Sequence, residues 1–327
     1  MIAWAAALLA TLTLWSSYVP APGGGRLDAV APFTQLLALR PVLAAILVLA
    51  GLAGIAWARR RRARAPAFVL MTLSALVACA QVAPRVLSRA EPAARGAPTV
   101  TVLTANTLRS SVSPNVIVDL ARRTGADVIA LPETSADHAG SFARALTRDR
   151  GECWRAFGDP LSRADDGGAG PTSMVVREAL GPQLLAQPAR PPGALGQVRL
   201  RLTRLGDGRG PAVAAVHPVA PAPVASQLLW RRDLLALRPL CRAGWILAGD
   251  FNATIDHSPM RALLDVGCSD AAATTGQGLK ATWGTLGLLL TPIDHVLTSG
   301  AWRPTGAGVL PIDGSDHLAV WARLVRS

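Results

Sequence analysis

The stretch Trp245-Ile-Leu-Ala-Gly-Asp-Phe-Asn-Ala253 decides how the larger, carboxyl-terminal part of this chain folds. A short apolar run reaches Gly249, and two polar residues, Asp250 and Asn252, follow it directly. A run of this length bounded by polar residues predicts a fully buried strand. Because strand ends and their loops are where a rigid sheet gathers polar groups, Asp250 and Asn252 are candidate functional residues.

Several of the other strands predicted from apolar and β-branched runs also have polar residues at or beside their ends. Helices are predicted between them at 115–124 and 226–237, from apolar residues at helical spacing. Turn formation explains each polar end singly, but not why all of them carry carboxylate, carboxamide or imidazole groups. The polar residues at or beside strand ends are Asn106, Glu133, His217, Asp250, Asn252, Asp294, Asp316 and His317.

This set of side chains suits metal-assisted chemistry on phosphorus. Hard oxygen ligands for Mg²⁺ or Mn²⁺ are present on Asn106, Glu133, Asp250, Asn252 and Asp316. His217 and His317 can transfer protons or stabilise an oxyanion near neutral pH, and Asp294 can orient one imidazole. Since the set lacks a nucleophilic Ser or Cys, it predicts attack by an activated water molecule.

Five motifs occur in a fixed order between residues 99 and 327. They are Asn106, Glu133, Gly249-Asp-Phe-Asn-Ala253, Ile293-Asp-His-Val-Leu297 and Ser315-Asp-His317. In these motifs and their order the chain resembles the endonuclease/exonuclease/phosphatase superfamily, as a membrane-anchored bacterial member. The resemblance implies an α/β fold, a four-layer αββα sandwich of the deoxyribonuclease-I type, with the site at one edge of two mainly antiparallel sheets.

The resemblance also implies a metal site. Glu133 looks like the metal-binding glutamate of the family, Asn106 like the asparagine near the metal, and Asp316 like the second carboxylate beside it. The cofactor implied is Mg²⁺, with Mn²⁺ as the alternative.

Catalytic roles follow from the same resemblance. Asp250 resembles the aspartate that activates the attacking water, and Asn252 the asparagine that contacts the phosphate. His317 resembles the histidine paired with Asp294, which acts as base or phosphate stabiliser, and His217 resembles a proton donor or phosphate ligand. Whether Asp250 or the Asp294–His317 pair is the general base stays open.

The amino-terminal third has the composition of a membrane anchor. Three stretches without charge are rich in Leu, Ala, Val and Ile, and each is long enough to cross about 30 Å of hydrocarbon. The predicted transmembrane helices lie at about 2–19, 41–58 and 66–86. A cleaved signal peptide is the alternative for residues 1–25, although no basic segment precedes the apolar run.

The charge of the chain indicates its orientation more than its substrate. Of the net charge of +12, residues 1–97 carry +8 and residues 98–327 carry +4, which argues against a basic nucleic-acid binder. The Arg59–Arg64 cluster, between the second and third predicted helices, is expected in the cytoplasm by the positive-inside rule. We therefore expect a multi-pass protein of the inner (plasma) membrane with its catalytic domain on the extracytoplasmic side.

The chain is expected to divide into a membrane anchor at 1–90, a linker at 91–98 and a catalytic domain at 99–327. In an oxidising compartment two of its three cysteines could pair. Cys241 and Cys268 flank the strongest motif and are the first choice over Cys153. His138 and His257 are expected at the surface.

The predicted function is metal-dependent hydrolysis of a phosphodiester or phosphomonoester at a lipid bilayer. The substrate could be a nucleic acid, a phospholipid head group or an inositol phosphate; no protein partner can be inferred. Apurinic-site endonucleases use a Tyr in the site, whereas the single Tyr here is Tyr18, in the anchor, so DNA repair is disfavoured. The alternative is a catalytically silent membrane-bound scaffold that retains the fold.

Overall fold

The structure is a computed structural model that describes residues 2–21, 25–61, 66–159, 170–187, 194–205, 210–222, 224–285 and 288–326. Its amino-terminal part is helical. The helices are α1 (Ile2–Trp15), α2 (Phe33–Leu37), α3 (Arg40–Arg60), α4 (Pro66–Val82) and α5 (Pro84–Leu87).

Two amino-terminal helices, not three, have the length and composition to cross a membrane within the described part of the chain. They are Arg40–Arg60 and the nearly continuous stretch Pro66–Leu87. The helix expected at 2–19 ends at Trp15, because Ser16 turns the chain through bonds from its N–H and Oγ to the Thr13 carbonyl at 3.1 and 2.8 Å. Its 14 residues span about 21 Å, which is less than the hydrocarbon thickness of about 30 Å.

The rest of the chain builds two six-stranded sheets, as described residues show. In spatial order, the first contains β13 (Trp302–Pro311), β14 (Leu318–Arg326), β1 (Thr99–Thr104), β2 (Val128–Pro132), β4 (Thr172–Arg177) and β3 (Trp154–Gly158). The second contains β5 (Pro182–Leu184), β6 (Gly196–Leu202), β7 (Ala212–His217), β8 (Ile246–Asp250), β12 (Asp294–Ser299) and β9 (Cys268–Asp270). A hairpin pairs β10 (Trp283–Thr285) with β11 (Leu288–Thr291).

Alternation along the strands produces the four layers. In β1, Val100 and Val102 face the second sheet, whereas Leu103 faces the helices outside the first. Those outer helices are α6 (Pro114–Thr124) and α7 (Ala136–Arg150). On the far side lie α8 (Gln227–Leu235), α9 (Arg238–Arg242) and α10 (Ser258–Leu264), and the short α11 (Ala271–Thr274) follows β9. The expected αββα sandwich is therefore confirmed.

The predicted linker region contains no helix or strand from Ser88 to Pro98, yet the amino-terminal helices also touch the sandwich directly. Asp256, which follows β8 by six positions, lies between two arginines of the anchor. Its carboxylate accepts from Arg40 Nη1 at 2.6 Å and from Arg85 Nη1 at 2.7 Å. Arg40 and Asp256 are each 2% exposed, so this ion pair is buried at the junction.

His257 extends the same contact. The sequence predicts it at the surface, and this prediction is wrong, because the side chain is buried. It is 2% exposed, and its Nε2 lies 2.9 Å from the carbonyl oxygen of Thr34. Next to it, Ser258 donates through its backbone N–H and its Oγ to Asp28 of the anchor. The sequence could not show this burial, because both partners lie more than 200 positions away.

A disulfide joins Cys241 to Cys268, which ties α9 to β9. Cys153 is exposed and unpaired, and Cys79 lies in α4. The predicted pairing of Cys241 with Cys268 is therefore confirmed. The disulfide connects the second sheet to its outer helix layer.

Candidate active site

All eight predicted polar residues meet at one edge of the sandwich, because of how its strands are directed. The β1 and β2 strands are parallel, as are β7 and β8, so their carboxyl ends share that edge. The antiparallel β14 and β12 begin there. The residues brought together are Asn106, Glu133, His217, Asp250, Asn252, Asp294, Asp316 and His317.

Asn106 links two carboxylates of the site. Its Nδ2 donates to Glu133 Oε1 and to Asp250 Oδ2, both at 3.1 Å, and its Oδ1 accepts from the Leu108 N–H at 3.0 Å. The second oxygen of Glu133 accepts from the Arg109 N–H at 3.1 Å. In this rotamer Asn106 positions the two carboxylates, and it would offer an oxygen to a cation only after its amide turned over.

Asp294, His317 and Asp250 form a buried chain of charges. Asp294 lies opposite Asp250 in the β12–β8 register. His317 Nδ1 lies 2.8 Å from Asp294 Oδ2, and its Nε2 faces Asp250 Oδ2 at 3.7 Å. Although burial opposes its charged form, the neighbouring carboxylates of Asp294 and Asp250 raise the pKa of His317 to about 10. His317 is therefore an imidazolium at neutral pH.

Asp250 is, like Asp294, a buried carboxylate of this chain of charges. Burial first, and then the nearby charge of Asp294, raise its pKa above the ordinary value, while His317 and His217 partly counteract this. Its Oδ1 accepts from the Asn252 N–H at 2.8 Å. A carboxylate with a raised pKa is a better proton acceptor near neutral pH than an ordinary one.

His217 and Asn252 form the opposite wall of the site. His217 Nε2 lies 3.7 Å from Asp250 Oδ2 and 3.5 Å from Asn252 Nδ2. Asn252 also donates to the Pro218 carbonyl at 3.0 Å, and its own carbonyl accepts from Trp230 Nε1 at 3.1 Å. Asn252 and Glu133 have φ values of 49° and 54°. Such left-handed conformations are costly for residues other than glycine and cluster at functional sites.

Asp316 lies at the open rim of the site. Its Oδ1 is 3.9 Å from His317 Nε2, and its Oδ2 accepts from Trp283 Nε1 at 3.0 Å. The carboxylate is 45% exposed, in contrast to the buried Asp250 and Asp294. Asp316 can therefore reach a group that enters from solvent.

Three supporting residues were missed in the sequence. The Thr282 hydroxyl accepts from the Asp294 N–H at 3.1 Å, and Ser315 Oγ donates to the Asn106 carbonyl at 2.8 Å. Trp230 supports the Asn252 loop from α8. Ser315 is part of the last of the five motifs but was given no role there, whereas Thr282 and Trp230 carry no local signal, since they act through tertiary contacts.

His295 belongs to the structure and not to the site, as its place on β12 predicts. It points away from Asp294, with Nδ1 2.6 Å from Asp270 Oδ2 and Nε2 2.9 Å from the Ala253 carbonyl. Burial opposes its protonation, yet the Asp270 carboxylate raises the pKa of His295 above its ordinary value.

The donor set fits a divalent cation. Three carboxylates, Glu133, Asp250 and Asp294, converge on the site, and Asp294 Oδ1 is buried without a hydrogen-bond partner. A carboxylate oxygen of Asp250 and one of Asp294 lie within 4.8 Å of each other, whereas His317 could be a ligand only after losing its proton. Such a concentration of hard oxygens and negative charge suits Mg²⁺ or Mn²⁺.

Comparison with known proteins agrees with this geometry. A sequence model described as the Endonuclease/Exonuclease/phosphatase family matches residues 103–317. In structure, the chain is similar to a protein of that family from Bacteroides thetaiotaomicron, with 18% identity, coverage of 70% of this chain and 99% of that one, and a TM-score of 0.51.

Two further solved structures are similar in fold. An endonuclease/exonuclease/phosphatase from Beutenbergia cavernae is 16% identical, with coverage of 70% of this chain and 72% of that one, and a TM-score of 0.53. The human Nocturnin catalytic domain with bound sulfate is 18% identical, with coverage of 75% and 98% and a TM-score of 0.52. No curated protein sequence matches the chain.

Proposed function

The chain belongs to the endonuclease/exonuclease/phosphatase family. From that membership we propose that it is a metal-dependent phosphoesterase, and from its two long apolar helices that it is attached to a membrane. The observation that carries the proposal is the convergence of the eight polar residues at one edge of the sandwich. Their carboxylates, amides and imidazoles are the groups needed to bind a phosphate and activate water.

Glu133 and Asp316 would hold the cation, with Asn106 positioning Glu133. A bound Mg²⁺ or Mn²⁺ supplies electrostatic stabilisation to the phosphoryl oxygens. The Glu133 carboxylate is fixed on both oxygens, by Asn106 and by the Arg109 N–H, so it would meet a cation with little loss of side-chain freedom.

Asp250 would be the general base, and His317 the proton-bearing phosphate stabiliser. His317 already carries its proton at neutral pH because of Asp294, so it cannot take a second one from water. Asp250 would take the proton on Oδ2, which accepts from Asn106 Nδ2 at 3.1 Å and faces both imidazole Nε2 atoms at 3.7 Å. Asn252 and His217 would bind the phosphate from the opposite wall, where their side chains lie 3.5 Å apart.

The proposal is tested by chelation. The full-length protein in detergent, with bis(p-nitrophenyl) phosphate and MgCl₂, is expected to release p-nitrophenol, and excess EDTA should reduce the rate by about 10²-fold or more. Added Mg²⁺ or Mn²⁺ should restore it. Hydrolysis that is indifferent to EDTA would contradict the metal dependence. A protein that binds phosphoesters but hydrolyses none in a panel of DNA, RNA, phospholipids and inositol phosphates would support the silent scaffold instead.

The proposed placement is a multi-pass inner-membrane protein with an extracytoplasmic catalytic domain. The loop between α1 and α3 contacts the sandwich through Asp28 and Thr34, so loop and sandwich lie on one side of the membrane if α3 spans it. Of the arginine cluster assigned to the other side, Arg59, Arg60 and Arg61 end or follow α3, and Arg62 and Arg64 lie outside the described residues. The Cys241–Cys268 disulfide is suited to an oxidising compartment.

This placement has a direct measurement. Alkaline phosphatase, which needs its own disulfides, is expected to be active when fused after Ser327, and a β-galactosidase fusion at the same position should be inactive. The reverse pattern would place the catalytic domain in the cytoplasm. A fusion after Arg61 serves as the internal control, because it should give the opposite result to Ser327.

A further inference from the structure

A second cavity lies away from the candidate active site. Its volume is about 790 Å³, and it opens between the residues that follow α1 and helices α8 and α10. None of the eight residues of the candidate active site lines it. Pockets that bind small molecules have volumes of about 300–1,000 Å³, so it could accept a ligand the size of a lipid head group.

The walls of this cavity are strongly basic. Arg26, Arg231 and Arg261 line it, and Asp265 is its one acidic lining residue among those described. Across the described part of the chain, none of the three arginines forms an ion pair with a carboxylate. Clustered guanidinium groups without counter-ions favour a multivalent anion such as a phosphate.

Two of these arginines are held in place by the anchor. Arg26 donates to the Tyr18 carbonyl at 2.7 Å, and Arg261 donates to the Ser17 carbonyl with its guanidinium 3.8 Å from the centre of the Tyr18 ring. Arg231, in contrast, has no hydrogen-bond or ion-pair partner within the described residues. It packs beside Gly25, whose φ of 88° and lack of a Cβ leave the room that the guanidinium occupies.

An unsatisfied hydroxyl also lines the cavity. Ser17 is fully buried, and its Oγ has no hydrogen-bond partner in the described structure. A buried hydroxyl without a partner is costly, but the Ser17 Oγ has no accessible surface, so only a rotation of the side chain would bring it to a ligand in the cavity. The cavity therefore offers a ligand one guanidinium without a partner and two that are held in place.

The position of the cavity indicates where its ligand comes from. Ser17 and Tyr18 lie two and three positions after the end of α1 at Trp15. Arg40, which also contacts the sandwich, is the first residue of α3. Trp15 and Tyr18 pack against each other with ring centroids 5.8 Å apart. Such aromatic residues favour the head-group level of a bilayer.

We propose that this cavity binds the phosphate of an anionic phospholipid head group at the bilayer surface. The proposal rests on the membrane attachment proposed above, but it does not depend on the hydrolytic activity. The bound lipid would join the anchor loop at Arg26 to the sandwich at Arg231 and Arg261.

The test uses the full-length protein in dodecylmaltoside micelles and follows its thermal unfolding by tryptophan fluorescence. Titration with phosphatidylglycerol is expected to raise the unfolding midpoint to saturation, whereas phosphatidylcholine should have little effect. Arg231→Gln should weaken the apparent affinity for phosphatidylglycerol about tenfold, and Arg231→Lys should restore part of it. Arg232→Gln is the matched control, since the neighbouring Arg232 is exposed and does not line the cavity.

A titration with inorganic phosphate distinguishes a lipid head group from a soluble phosphate as the ligand. If millimolar phosphate stabilises the wild type but not Arg231→Gln, the phosphate chemistry is upheld and the ligand is soluble. No stabilisation by either anion, or equal stabilisation of wild type and Arg231→Gln, would overturn the proposal. Phosphoester hydrolysis measured in the same samples would remain unchanged in Arg231→Gln, so a failure of the proposed activity is distinguishable from a failure of the lipid site.

Discussion

Replacing Asp250 with asparagine is expected to lower kcat for phosphoester hydrolysis by about 10²–10⁴-fold, the contribution of a general base. The asparagine keeps the shape of the side chain and can still accept from the Asn252 N–H. It cannot take a proton, and it removes the negative charge that faces His217 and His317 at 3.7 Å. The measurement is steady-state hydrolysis of bis(p-nitrophenyl) phosphate by the full-length protein in saturating Mg²⁺.

The same substitution should not destabilise the protein. Burial and the charge of Asp294 raise the pKa of Asp250, which means that the folded state disfavours its ionised form. Relief of this cost is opposed by the loss of the acceptor for Asn106 Nδ2, so we expect the asparagine variant to unfold close to the wild-type temperature. Asp119→Asn, in an exposed pair with Arg123, is the control and should retain full activity. Asp250→Asn with wild-type kcat would exclude Asp250 as the base.

Replacing Asp256 with asparagine is expected to lower the free energy of unfolding by about 3–5 kcal/mol, the cost of removing one partner of a buried ion pair. The carboxylate is 2% exposed and accepts from both Arg40 and Arg85. The variant would leave two guanidinium groups at the junction without their counter-charge. Thermal or denaturant unfolding of the full-length protein in detergent measures the loss.

The difference in free energy of unfolding between the wild type and Asp256→Asn depends on pH, and the sign of this dependence follows from the pKa of Asp256. Burial opposes ionisation, but hydrogen bonds and charge from Arg85 and Arg40 hold the pKa of Asp256 below its ordinary value of 3.8. The stabilisation is therefore fully present above pH 3.8 and is lost as the pH falls through the lower folded-state pKa. Glu91→Gln is the control, because Glu91 is 82% exposed beside Arg303 and should change stability by less than about 1 kcal/mol. An Asp256→Asn variant as stable as Glu91→Gln would show that the ion pairs of Asp256 do not stabilise the junction.

Much of the site could be predicted from the sequence because its residues stand at strand ends. Asp250 and Asn252 follow a buried apolar run. Because parallel strands end at the same edge of the sandwich, this position brings Asp250 close to Asn106, which in turn contacts Glu133. The order of the motifs then led to the correct sandwich.

The parts that could not be predicted depend on contacts between distant segments. The first helix looked long enough to span a membrane, but a hydrogen-bonded turn at Ser16 ends it early. His257 looked like a surface residue, because its partner Thr34 lies far away along the chain. Thr282 lacks any motif, and its importance is visible only once its hydroxyl meets the Asp294 backbone.

The ion pairs of Asp256 with Arg40 and Arg85 also determine what would happen if the chain were cut at residues 91–98. A fragment that starts after this segment would lose the partners of Asp256, His257 and Ser258 together. The carboxylate, the imidazole and the start of α10, which are covered in the full chain, would then be exposed to water. These residues follow Asn252 by four to six positions, so the structural change would begin beside the wall formed by His217 and Asn252. We therefore expect a fragment without the amino-terminal helices to be less stable than the full chain and to lose phosphoesterase activity.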